Sequence, residues 1–135
     1  MTALWLSTGV VLVLVSACAP QPTAVEKYCD VVHQNEAAFD PFSTPGAVTD
    51  PVVLRKSLDD QVATASALAD VAPDAAHADA TTVRQSMIKI ANALAVHSFD
   101  AKSVDADPAV ATLLTESTFQ DARRRLEDFN TAHCA

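Results

Sequence analysis

The chain has 135 residues, a formal net charge of −8 from 17 acidic and 9 basic side chains, and hydrophobic residues at half of its positions. That is one domain's worth of chain, long enough to bury about two thirds of its unfolded surface around a single core. The acidic balance argues against nucleic acid and anionic headgroups as partners, and with glycine only at Gly9 and Gly46 no loop can cradle phosphate through successive backbone N–H groups.

The first element is the uncharged apolar run Ala3 to Ala17. It is too short for a spanning helix, which needs roughly 20 residues, and suits the apolar region of a secretory signal. Residues 1–17 are therefore read as a signal peptide. Val15-Ser16-Ala17-Cys18 resembles the bacterial lipobox. The resemblance implies cleavage before Cys18, a diacylglycerol thioether on its sulfur and acylation, palmitate included, of the new amino group. Two or more chains, at roughly 0.8 kcal/mol per buried methylene, give durable anchoring. One departure from the pattern is an n-region without Lys or Arg. The competing reading is an ordinary secretory signal in which Cys18 is incidental.

Residues 18–22 form a lipidated tether whose Pro20 and Pro22 favour extension. At no more than about 3.5 Å per residue, it holds the domain of residues 23–135 close to the outer face of the cell membrane. With Cys18 assigned to lipid, Cys29 and Cys134 are the thiols that remain. An exported compartment permits their oxidation, so they are expected to bond to each other.

Thr23-Ala24-Val25-Glu26 has the form of a capping box and opens a helix carrying Val25, Tyr28, Cys29, Val32 and Phe39 on one face. Glu36 falls in the same arc, either as a buried carboxylate or, at a helix end, reaching solvent. A loop from Asp40 to Asp50 follows, with Phe42 in it. Asp50-Pro51 then pairs a carboxylate N-cap with proline at N1. The second helix places Leu54, Leu58, Val62, Ala65, Leu68, Ala69 and Ala72 on a stripe that stops before Pro73. Asp74 is expected to cap a third helix running to about Phe99, with Val83, Met87, Ile90, Leu94 and His97 in register. From Ile88 on, this helix is apolar on nearly every side, which predicts a buried central element with Val96 and Phe99 facing away from the main stripe. After a polar loop, Asp107-Pro108 repeats the cap-and-proline pattern before a short helix ending near Leu114. Ser117-Thr118-Phe119-Gln120 looks like a second capping box, opening a last helix with Phe119, Ala122, Leu126, Phe129 and His133 on one side. No sustained two-residue alternation interrupts these helices. The fold class is all-α: a small disulfide-stapled bundle of four to five helices.

No stretch carries a catalytic constellation. His33, His97 and His133 could in principle converge, yet none is spaced as a zinc ligand pair, so each is read as a core or groove histidine with one hydrogen-bond partner. Asp100, Asp105 and Asp107 lack the order and closing Glu of a calcium loop. Arg123-Arg124-Arg125 reads as a solvated face paired with Glu127 and Asp128, with phospholipid headgroups as the competing partner. No serine lies in a nucleophile motif. No catalytic residue, cofactor or metal site is assigned, and the chain is expected not to be an enzyme.

The lipobox, the Tyr28-Cys29 pair, the alanine-rich helices and the terminal His133-Cys134-Ala135 resemble small exported lipoproteins of actinobacteria. The expected role is a binding or interaction module on the outer face of the cytoplasmic membrane, using a helix groove or the Phe42 loop to meet an envelope protein or an apolar small molecule. A structural envelope component without a discrete ligand and, third, a hydrolase are the competing readings.

Overall fold

The computed structural model describes residues 21–35, 49–100, 102–103 and 106–135. The signal peptide, Cys18, Glu36, Phe39, Phe42 and Asp105 lie outside them. The described residues form five helices of eight residues or more and no strand: α1 Ala24–Gln34, α2 Pro51–Val71, α3 Asp74–Val96, α4 Pro108–Thr115 and α5 Ser117–His133. Among the described residues no helix is long and apolar enough to cross a membrane.

Three helix starts follow their local sequence. The Thr23 hydroxyl accepts from the Glu26 amide at 3.2 Å, and the Thr23 amide donates to the Glu26 carboxylate at 2.6 Å, completing the capping box of α1. Those two bonds hold the Glu26 carboxyl below its ordinary range. Asp50 accepts from the amides of Val52 and Val53 at 2.8 and 3.3 Å ahead of Pro51. Asp107 accepts from the Ala109 amide at 2.8 Å ahead of Pro108.

Two other expected caps do not form. The N-cap of α3 is Pro73, and Asp74 sits inside the first turn, where its negative charge still favours the positive end of the helix dipole. Before α5 the N-cap is Glu116, without a side-chain cap bond. Because Glu116 alone separates α4 from α5, Ser117 is already helical and cannot take the extended conformation of a cap. Gln120 instead donates from Nε2 to the Leu114 carbonyl at 2.6 Å, satisfying an orphan acceptor at the end of α4.

Helices α2 and α3 form an antiparallel hairpin about Ala72 and Pro73, and α3 packs in turn on α2, α4 and α5. One end of the core is Leu54, Leu58, Ile90, Leu94, Val110 and Phe119. The other gathers Tyr28, Cys29, Val32, Leu68 and Cys134, where α1 crosses the C-terminal ends of α2 and α5. Between them Ala69, Ala76, Ala80 and Leu126 meet, their small side chains letting the helices approach closely.

The expectation that α3 is buried on every side is corrected. Val96 is 81% and Ile88 39% exposed, because the neighbours of α3 leave its outer face uncovered. Nor does α3 reach Phe99. It ends at Val96, and Ser98 and Phe99 turn left-handed, with φ of 51° and 58°. The Ser98 amide bonds to the Ala95 carbonyl and the Phe99 amide to the Leu94 carbonyl, both at 3.0 Å. This is the double-bonded C-terminal motif usually built on glycine. It carries Phe99 back onto the cluster that contains Leu94, so the side chain expected to face away packs against the core.

Candidate functional site

Two side-chain clusters and one groove are the candidates. The first is the disulfide end. Cys29 and Cys134 are bonded with Cα atoms 5.1 Å apart, closing a separation of 105 residues. Both sulfurs belong to an apolar cluster and each residue is only 8% exposed. Tyr28 is completely buried beside them, its ring edge-on to Phe129 with centroids 5.5 Å apart. Among the described residues its hydroxyl has no hydrogen-bond partner, and burial pushes the phenol up to about 12. His33 donates from Nε2 to the Cys134 carbonyl at 2.6 Å, and His133 lies against Phe129 with ring centroids 4.4 Å apart. The C-terminus of α1 is tied down separately: the Thr64 hydroxyl donates to Asn35 Oδ1 at 3.2 Å, and Asn35 Nδ2 donates to the Val31 carbonyl at 2.8 Å. Thr64 is buried to 6% exposure, a polar core residue that the apolar stripe of α2 concealed.

The second cluster lies at the other end. His97 Nε2 is 2.7 Å from Asp107 Oδ2, while Asp107 Oδ1 caps α4. One carboxylate thus holds the end of α3 and the start of α4 together. The bond to His97, more than the bond from Ala109, keeps the Asp107 carboxyl below its ordinary range. A carboxylate that orients an imidazole is also half of a nucleophilic site. Here both carboxylate oxygens are engaged in joining helices, and Ser103, a hydroxyl in the same loop, donates instead to Asp100 at 2.7 Å.

The three histidines do not converge. His33 and His133 stand at the disulfide end and His97 at the opposite one, and among the described residues no three His, Cys, Asp or Glu side chains gather to hold a metal ion. Of the acidic loop residues, Asp100 is taken up by Ser103 and Asp107 by His97 and Ala109.

The arginine cluster is paired differently from the expectation. Arg124 meets Asp121 at 2.8 Å, one turn before it. Arg125 grips Asp79 of α3 through Nε and Nη2, at 2.6 to 3.1 Å, and Arg123 lies over the Phe119 ring at 5.6 Å. Asp79 is reachable because α3 packs against α5, which leaves its side chain only 19% exposed, a contact 46 residues away that helical spacing cannot reveal. Arg125 is therefore a brace between helices, and the cluster offers headgroups less free positive charge than its sequence suggests.

The groove runs between α2 and α3 on their outer side. It encloses about 310 Å³ and is lined by Asp59, Val62, Ala63, Ile88, Ala91 and Asn92. It is an open trough, suited to an inserted side chain or helix ridge. No protein-family model, no curated protein and no solved structure matches this chain.

Proposed function

We propose that this chain is a lipid-anchored interaction module on the outer face of the cytoplasmic membrane, acting by binding another protein rather than by catalysis. The observation that carries the reading is the Cys29–Cys134 bond. Of the chain's three cysteines, the two that pair are those left once Cys18 is reserved for lipid, and a buried disulfide suits an oxidising compartment. The lipobox and the apolar run before it supply the route to that compartment. α1 packs across the disulfide end, so a tether entering at Thr23 attaches there. The other end of α2 lies about 30 Å away at 1.5 Å rise per residue, and is presented outward.

Protein binding is favoured over carriage of an apolar molecule by the shape of the surface. The groove is open, and Val52, Val53, Val96 and Leu114 are exposed by 76, 40, 81 and 41%. An open trough suits the side chains of a protein partner, whereas ligand sites bury most of their guest.

The test is mass spectrometry of the N-terminal peptide of protein taken from membranes of the expressing bacterium, together with metabolic labelling by an alkyne fatty acid. A diacylglyceryl-modified, N-acylated Cys18, lost with Cys18→Ala, is the expected result. An N-terminus at Met1, or an unmodified Cys18 in the soluble fraction, would overturn the proposal.

A further inference from the structure

α1 is held to the molecule differently from the other helices. The core groups around Ile90 and around Ala76 are built without it among the described residues. α1 enters only the third, where Tyr28, Cys29 and Val32 lie against Leu68, Phe129 and Cys134. Its eleven residues are fewer than the roughly 12 to 15 at which isolated helices begin to persist in water, so α1 is helical because it is docked. Two hydrogen bonds and one covalent bond complete the docking: Thr64 to Asn35, His33 to the Cys134 carbonyl, and Cys29 to Cys134.

The covalent bond sits at the edge of the fold. Cys134 is the C-cap of α5, just beyond its last residue His133. Its amide donates to the Asn130 carbonyl at 2.8 Å, and its own carbonyl accepts from His33 at 2.6 Å. Helix ends fray, and fraying of this one turn is a local opening that leaves α3 and α4 undisturbed. It brings the Cys134 sulfur to the surface, and access of that kind is what thiol exchange requires.

We infer that α1 is a strap latched by this disulfide: a protein dithiol of the envelope opens the latch, and α1 leaves the body while α2 to α5 stay folded. The first thiolate of the reductant attacks the Cys134 sulfur, forming a mixed disulfide and expelling the Cys29 sulfur as a thiolate, which takes a proton from water. The second thiolate attacks the reductant's own sulfur in that mixed disulfide. Cys134 then leaves and is protonated in turn, and the reductant departs as a disulfide, having given up two electrons. Because the tether enters at Thr23, the strap is what joins the lipid to the body, and opening it lets α2 to α5 stand further from the membrane. That consequence rests on the lipid-anchor reading, whereas the latch itself does not.

The test uses the full chain in detergent without denaturant. Dithiothreitol, standing for the protein dithiol, is expected to reduce Cys29–Cys134, after which hydrogen exchange is fast throughout α1 while the middle of α3 stays protected. Cys29→Ala with Cys134→Ala gives the open form without reductant, and its Tyr28 phenol titrates near the ordinary 10.0 rather than about 12. His33→Ala removes one of the bonds that hold Cys134 and speeds reduction about fivefold, the worth of one ordinary hydrogen bond. His33→Gln, which can still donate to the carbonyl, does not. A disulfide that resists dithiothreitol until the chain is denatured overturns the inference. So do a Tyr28 that still titrates at about 12 in the double variant, loss of protection in α3 together with α1, and a reduction rate indifferent to His33→Ala. An unmodified Cys18 would remove the anchor and leave all of these results as they are, so the two failures are distinguishable.

Discussion

At one end the bundle is closed by a covalent bond set among apolar side chains, and at the other by an imidazole and a carboxylate at the surface. Cys29, Cys134, Tyr28 and Val32 bury together, so the disulfide end depends on oxidation and on packing. The α3–α4 end depends on His97 and Asp107 and on a left-handed turn made without glycine. It is indifferent to reductants and sensitive to protonation. The two closures therefore answer to different conditions, the disulfide to reduction and the His97–Asp107 contact to acid.

The largest effect is expected from the disulfide. Reduction, or the double substitution Cys29→Ala with Cys134→Ala, removes the closure of a 105-residue separation, worth about 4–5 kcal/mol in the chain-entropy model. Urea unfolding should show that loss, and hydrogen exchange should show α1 loosened more than α4. Equal loosening of both would mean that the two ends do not act separately.

At the other end the strain can be relieved instead of increased. A residue with a β-carbon in the left-handed region costs roughly 1–2 kcal/mol, and Ser98 is exposed with φ of 51°. Ser98→Gly should stabilise the fold by about 1 kcal/mol in thermal or denaturant unfolding, after the greater entropy of glycine in the unfolded chain is deducted. An unchanged or lower stability would show that the serine is not strained there.

Asp107→Ala should act on the same end in the opposite direction, freeing the α4 amide of Ala109 and the His97 imidazole together. Exchange in α4 should rise several-fold while α1 is unchanged. Asp107→Asn, which keeps the cap and drops the charge, should lie between the two. The pH dependence has a definite sign. The Asp107 carboxyl is held below its usual value of 3.8 in the folded state, so its contribution is complete above that value and is lost as pH falls through the depressed one. Acid should therefore loosen the start of α4, and by the same sign the start of α1, where protonation of Glu26 breaks the capping box.

The contrast between the ends also explains what could be read from the residues alone. Thr23, Asp50 and Asp107 were legible as caps because a cap is a contract among four consecutive residues, and the cysteine pairing was legible because the number of thiols leaves few choices. Asp74 and Ser117 misled for a local reason, the conformation of the residue just before. What stayed hidden is non-local. Arg125 reaches Asp79 across 46 residues, Thr64 is buried because Asn35 lies over it, and the exposure of Val96 follows from which sides of α3 its neighbours occupy. The turn at Ser98 and Phe99 carries no glycine to announce it. The groove, made by side chains of two helices, has no linear signature.

The smallest expected effect is at Tyr28, and it probes the apolar end most directly. Tyr28 is the chain's only tyrosine, so its ionisation can be followed by ultraviolet absorbance without interference from others. Burial raises the folded phenol from 10.0 to about 12. The proton is held more tightly in the folded state, so stability is unaffected below pH 10 and declines as pH rises towards 12. Tyr28→Phe should abolish that decline. At neutral pH the same substitution removes a buried hydroxyl that has no hydrogen-bond partner among the described residues. Deleting such a group while keeping the ring should leave stability unchanged or raise it by up to about 1 kcal/mol. A loss of stability at neutral pH would instead mean that the hydroxyl is bonded in solution, and the apolar character assigned to the disulfide end would have to be revised.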